Sequence, residues 1–213
     1  MNLNKYDIIL MDCDGVILNS NKLKTKCFKE TLSEFEKSKI NKFLFFHKAN
    51  GGISRYKKIE YFLTHILKEK KYKTKYKLLI KKYSDLIKAQ LQFCKTDKFL
   101  VDFLKQYQNK KIFIVSGSDE KELRSVFKKR GLFNYFNKIY GSPKDKNEII
   151  KIIKNQYPGS KFILIGDSRL DYEVSRKNKV DFIFKYPWSE FKEWRKYFKN
   201  KQVTFCKDLK ILM

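Results

Sequence analysis

Asp7-Ile8-Ile9-Leu10-Met11-Asp12-Cys13-Asp14-Gly15-Val16 begins as a short apolar run and stops abruptly at two carboxylates. A run this short, apolar at successive rather than alternate positions, fits a strand buried on both faces, as in a parallel sheet. Three further runs have the same form: Lys111-Ile112-Phe113-Ile114-Val115 ending at Ser116, Lys161-Phe162-Ile163-Leu164-Ile165 ending at Gly166-Asp167, and Val180-Asp181-Phe182-Ile183-Phe184. A weaker one, Lys138-Ile139-Tyr140, ends at Gly141-Ser142. Helices are predicted over 119–130, closed by Gly131, and over 147–156, closed near Pro158-Gly159. Asp145 and Glu148 stand in capping-box spacing, which puts Lys146 in the first turn of the second helix.

This alternation predicts an α/β fold, a Rossmann-like three-layer core with a mostly parallel five-stranded sheet. Such sheets bind ligands beyond the carboxyl ends of their strands. Each polar cluster just quoted stands at such an end. The segment 18–95 breaks the alternation: Phe28, Leu32 and Phe35, and again Ile59, Phe62 and Ile66, recur at helical spacing among lysines. It reads as a helical cap inserted into a core made of 1–17 and 96–213. Its conspicuous turn, Asn50-Gly51-Gly52-Ile53-Ser54-Arg55, is a candidate to reach the cleft.

The chain of 213 residues, 42% of them hydrophobic, is long enough for one such domain with an insertion. Its N-terminal apolar run meets Asp12 too soon for a signal peptide or a membrane span. The four cysteines, Cys13, Cys27, Cys94 and Cys206, show neither Cys-x-x-Cys nor disulfide-dense spacing, as expected of a reduced cytoplasmic protein without zinc. The net charge of +26 invites a nucleic-acid reading. The excess is nearly all Lys, spread over every predicted helix, and accompanies abundant Asn, Ile, Phe and Tyr. AT-rich codon bias and solvated helix faces account for it, so no nucleic-acid partner is expected.

Asp-x-Asp-Gly alone is weak evidence, being common in turns and calcium loops, although the residues after Asp12 lack the regular ligands of an EF-hand. The informative set is Asp12-Cys13-Asp14-Gly15, Ser116-Gly117-Ser118, Lys146 and Gly166-Asp167-Ser168-Arg169-Leu170-Asp171, in that order. Taken with the interrupting cap, this resembles the haloacid dehalogenase superfamily over nearly the whole chain, and most of all its phosphoglycolate-phosphatase-like branch.

The resemblance implies a Mg²⁺-dependent phosphatase acting through an aspartyl phosphate. Asp12 is then the nucleophile, and Asp14 the acid and base, its pKa expected to be raised by burial and by Asp12. Mg²⁺ would be held by Asp12, Asp167 and the backbone carbonyl of Asp14. Ser116 and Lys146 bind the phosphoryl group, with the N–H groups of Gly117 and Ser118, expected at a helix start, as an anion cradle. Lys144 is the alternative to Lys146. Asp171 is expected to orient Lys146 or metal-bound water. Arg55 is the candidate to grip a second anionic group on a small phosphorylated metabolite.

Each residue also has a structural reading: the serines and Asp167 or Asp171 as helix caps, Cys13 as packing, His47 and His65 as core or surface residues. A phosphomutase of the β-phosphoglucomutase type shares the same core residues. A dehalogenase is disfavoured by Asp14, and a Schiff-base lysine in the cap stays open. The non-enzymatic reading is a basic nucleic-acid- or membrane-surface-binding module, its best evidence being the amphipathic stretch with Phe191, Trp194 and Phe198, for which packing on the sheet is preferred. The chain is expected to be a monomer or homodimer.

Overall fold

A computed structural model describes residues 2–213. Six strands form one sheet in the order β3-β2-β1-β4-β5-β6. They are β1 (Ile8–Met11), β2 (Lys111–Asp119), β3 (Lys138–Ser142), β4 (Phe162–Gly166), β5 (Asp181–Lys185) and β6 (Thr204–Cys206), and every pairing is parallel. The sheet therefore has one strand more than expected. The sixth is three residues long and half exposed, too short to show a strand pattern in sequence.

β1 lies at the centre, with Met11 level with Ile114 of β2 and Ile165 of β4. Alternate residues divide the core. Ile9, Met11, Ile112, Ile114, Ile163 and Ile165 face one side, and Ile8, Leu10, Phe113, Val115, Leu164 and Phe184 face the other. On the first side pack α5 (Leu100–Gln106) and α6 (Glu120–Lys129), and on the second α7 (Lys146–Gln156), α8 (Arg169–Lys177) and the short α9 (Trp194–Phe198). Helices on both faces leave no solvated side, hence the continuous apolar runs. Phe198 is buried, its ring 5.0 Å from that of Phe184, so the amphipathic stretch packs on the sheet as preferred.

Between β1 and α5 the chain is helical: α1 (Asn21–Thr31), α2 (Lys37–Ala49), α3 (Arg55–Tyr61) running into a π-turn at Phe62–Ile66, and α4 (Lys73–Leu91). Phe28, Phe43, Phe62 and Tyr83 are buried between them. The segment leaves and rejoins the core through paired backbone: Asn19 N–H donates to the Lys95 carbonyl and Asp97 N–H to that of Ile17. Among the described residues no helix is long and apolar enough to cross a membrane.

Candidate active site

Asp12 follows β1 and Asp167 follows β4, the adjacent strand, so the two carboxylates emerge side by side at the carboxyl edge of the sheet. Asp12 N–H donates to the Ile165 carbonyl at 2.9 Å, which ties the chain there. Carboxyl oxygens of Asp12, Asp167 and Asp171 lie within 4.8 Å of one another, and all three residues are buried. Gly15 makes this approach possible: at φ +80°, its missing Cβ would stand 2.0 Å from Asp167 Oδ2.

Lys146 answers this charge. The capping box of Asp145 and Glu148 sets it in the first turn of α7, as expected. Its buried Nζ lies 2.9 Å from Asp12 Oδ2 and 2.5 Å from Asp171 Oδ1. Lys144 is exposed. Asp171 has two tasks: one oxygen takes Lys146, and the other accepts the hydroxyl and N–H of Ser168, which caps α8.

Burial, then the charges of Asp171 and Asp14, push the Asp12 carboxyl up to about 7 against the pull of Lys146. Burial, then Asp12 and Asp171, also push Asp167 well above the usual carboxylate range. Two desolvated carboxylates that resist ionisation together are a site short of positive charge. Their hard oxygens suit Mg²⁺. Among the described residues no donor reaches the carbonyl oxygen of Asp14, which is left free to join them.

The Asp14 side chain turns the other way. It accepts from Ser20 Oγ at 2.5 Å, Lys24 Nζ at 2.5 Å and Ser118 Oγ at 2.7 Å. Burial works against its ionisation, but the charge of Lys24 and these hydrogen bonds prevail and hold it down at about 2. The expected elevation is thus reversed. The cause is Lys24, which reaches across from α1 to bond both Asp14 and Ser118.

Gly117 and Ser118 also differ from expectation. They belong to β2, which runs on to Asp119 through a register shift, and α6 begins only at Glu120, its N-terminus capped by Asp119. No helix end stands behind them, so the cradle argument does not apply there. Gly117 is required for another reason: a Cβ would lie 2.0 Å from the carbonyl oxygen of Gly52 in the turn between α2 and α3. Ser116 is buried on the same edge and accepts from Ser118 N–H.

Arg55 lines the cleft but is not free. Its guanidinium forks onto Glu122 at 2.9 and 2.5 Å and donates to Ser84, which ties α3 to α6. Four residues that sequence reading passed over also line the cleft: Asn21, whose amide donates to Asp167 Oδ2 at 2.7 Å, Lys24, Lys58, and Glu190 in the loop after β5. His47, expected to serve packing, does so against Phe28, and its other edge reaches the cleft. Cys13 is fully buried, as expected.

The sequence profile of the haloacid dehalogenase-like hydrolases matches residues 9–185, which include the acidic cluster, Lys146 and the helical insertion. The chain belongs to this family. Solved structures agree with the haloacid dehalogenase-like fold. A haloacid dehalogenase-like hydrolase of Streptococcus pneumoniae superposes with a TM-score of 0.71 at 18% identity, over 98% of each chain. CbbY of Rhodobacter sphaeroides, solved with phosphate, gives 0.71 at 14% over 95% of this chain and 94% of its own. A predicted phosphoglycolate phosphatase of Haemophilus somnus gives 0.71 at 12% over 99% of each. At such identities the likeness is one of fold. No curated protein matches the haloacid dehalogenase-like chain in sequence.

Proposed function

We propose that this hydrolase is a Mg²⁺-dependent phosphatase of a small phosphate monoester, working through a phosphoaspartate on Asp12. The observation that carries the reading is the cluster itself. Asp12 pairs with Lys146 at 2.9 Å and clusters with Asp167 at the sheet edge, and a further carboxylate, Asp14, lines the same cleft. Mg²⁺ held by Asp12, Asp167 and the Asp14 carbonyl would neutralise the phosphoryl oxygens that otherwise repel a carboxylate nucleophile.

An oxygen of Asp12 attacks phosphorus, the ester P–O bond breaks, and Asp14 gives its proton to the leaving alkoxide. Water then attacks the phosphoaspartate, Asp14 takes its proton, and Asp12 and inorganic phosphate are released. Lys146 keeps Asp12 available as a carboxylate by offsetting part of its burial. Asp14, held as a carboxylate by Lys24, is prepared for the second step. For the first, Lys24 and Ser118 transfer to the arriving phosphoryl oxygens, and Asp14, freed of its cation, binds a proton in its buried site. The cleft encloses about 60 Å³, which favours a small metabolite over a polymer. Four buried cysteines, none in a disulfide, accord with a reducing cytoplasm.

The test is a phosphate-release screen over phosphorylated metabolites, with Mg²⁺ and with EDTA, beside Asp12→Asn. Release that needs Mg²⁺ and is lost in Asp12→Asn is expected; activity surviving the substitution defeats the mechanism. Isomerisation of a sugar phosphate, primed by a bisphosphate and without phosphate release, would select the phosphomutase instead.

A further inference from the structure

We propose that Asn21 is a positioning residue for Asp167: its amide fixes one carboxylate oxygen, leaves the other for the divalent cation, and so sets the affinity of the site for that cation. The role of the cation is taken from the proposed function, on which this rests. Asn21 is the first residue of α1 and lies half-buried in the wall of the cleft. Its Nδ2 is 2.7 Å from Asp167 Oδ2 and 2.9 Å from the carbonyl oxygen of Trp188. Both partners are acceptors, so both N–H groups of the amide are used, and exchanging its nitrogen and oxygen would satisfy neither. Among the described residues no donor reaches the other oxygen, Asp167 Oδ1.

Helix formation does not ask for Asn here. Asparagine favours caps and turns because its amide bonds to nearby backbone, yet this one makes no bond to its own helix. Ser20, the N-cap of α1, likewise gives its hydroxyl to Asp14 and not to the helix. The start of α1 is thus built toward the carboxylates of the core. The turn after β5 meets it there and holds Asp167 twice. Its Trp188 carbonyl fixes Asn21, and its Ser189 Oγ donates to the Asp167 carbonyl oxygen at 2.5 Å. That turn is itself anchored. The Trp188 ring centre lies 4.0 Å from Nζ of buried Lys185, the last residue of β5, and Lys185 pairs at 3.2 Å with Asp97, where the helical insertion rejoins the core.

A carboxylate free to rotate must be ordered when a cation binds, whereas one already held by a donor on its other oxygen need not be. A lysine in place of Asn21 would hold that oxygen too, but its charge would cancel the negative charge that draws the cation. The neutral amide orients the ligand and leaves its charge in place.

The probe is Mn²⁺, a divalent ion that takes the same oxygen ligands as Mg²⁺. Its binding to the full chain is followed by loss of the free ion's paramagnetic resonance signal, with Mg²⁺ as competitor, so that nothing depends on turnover. Asn21→Ala is expected to weaken Mn²⁺ binding roughly 10- to 100-fold. The Mg²⁺ concentration for half-maximal hydrolysis of 4-nitrophenyl phosphate should rise by a similar factor, while kcat at saturating Mg²⁺ falls less. Thr25→Val is the control: it removes a hydrogen bond from the same helix to the same turn, that of Thr25 Oγ1 to Glu190 at 2.7 Å, without touching Asp167. A purely structural role for Asn21 predicts the same effect in both variants. Unchanged or tighter Mn²⁺ binding in Asn21→Ala, a matching loss in Thr25→Val, or no Mn²⁺ binding by the unmodified protein overturns the positioning role. Mn²⁺ binding that depends on Asn21, in a protein that releases phosphate from no monoester screened, keeps that role and removes the phosphatase reading. Should Asn21→Ala fail to fold, Asn21→Ser, too short to span Asp167 and Trp188, is judged by the same criterion.

Discussion

Asp12 and Lys146 stand 2.9 Å apart although 134 positions separate them in sequence, one just beyond the central strand and the other in the first turn of α7. Asp171 takes the same ammonium at 2.5 Å, so one buried lysine serves two carboxylates, and a third, Asp167, lies within the same cluster. Removing that lysine leaves acids to be buried together. Lys146→Met is expected to reduce phosphate release at least 10²-fold, the size of effect seen when a fixed transition-state charge is lost. It should also destabilise the fold by roughly 3 kcal/mol, as for one partner of a buried pair. Urea unfolding and a phosphate assay measure both; unchanged stability would show the triad to be dispensable.

Gly117 and Gly131 give a contrast between two kinds of glycine. A Cβ on Gly117 meets the Gly52 carbonyl oxygen at 2.0 Å, while one on Gly131, at φ +66°, meets nothing within 4 Å. Gly117→Ala is expected to hold the α2–α3 turn away from β2 and depress kcat/KM well over tenfold. Gly131→Ala should cost about 1–2 kcal/mol through its left-handed backbone and leave kinetics unaltered. If both variants show only a stability loss, the close approach of turn and strand has no part in turnover.

Arg55 and Glu122 join the helical insertion to the core. The pair is buried and bidentate, so either truncation strands a charge. In a double-mutant cycle of Arg55→Ala and Glu122→Ala, a coupling above about 1 kcal/mol is expected in unfolding free energy. Additive losses would mean that Arg55 acts on something other than Glu122.

Lys58 makes stability depend on alkaline pH. Burial, and next the charge of Lys24, lower it from the ordinary value near 10.5 to about 7. Between those limits the unfolded chain binds more protons, so stability rises with pH. The destabilisation is absent above about pH 10.5, grows as pH falls through that window and is complete below about 7. Lys58→Met removes it. The advantage of the variant should therefore grow on going from pH 10 to pH 7, to the order of a few kcal/mol, and then level off. A difference that stays constant over pH in urea titrations would contradict this.

Much of the candidate site was legible because its residues follow local patterns. Asp12, Asp14, Ser116 and Asp167 follow apolar runs directly, and Lys146 sits one residue inside a recognisable capping box. What escaped notice depends on which of many similar side chains turns inward. Lys24 and Lys58 look like their exposed neighbours in a chain crowded with lysine, and only the packing of α1 and α3 over the sheet edge buries their ammonium groups. The same packing reversed the expected behaviour of Asp14, whose partner comes from the helical insertion. It also engaged Arg55 with Glu122, a residue no local pattern links to it.

The sequence by itself determined the parallel α/β core, the edge of the sheet where the acidic residues gather and the identity of those residues. Those properties follow from apolar periodicity and from short-range spacing along each strand and cap. Only the tertiary structure decided the protonation of Asp14, the counter-ions of the buried lysines and the reason Gly117 must lack a side chain. Each of these is a property of distance in space between segments far apart in the chain. Burial and the charges of neighbours set ionisation, and neither can be read until the segments have packed.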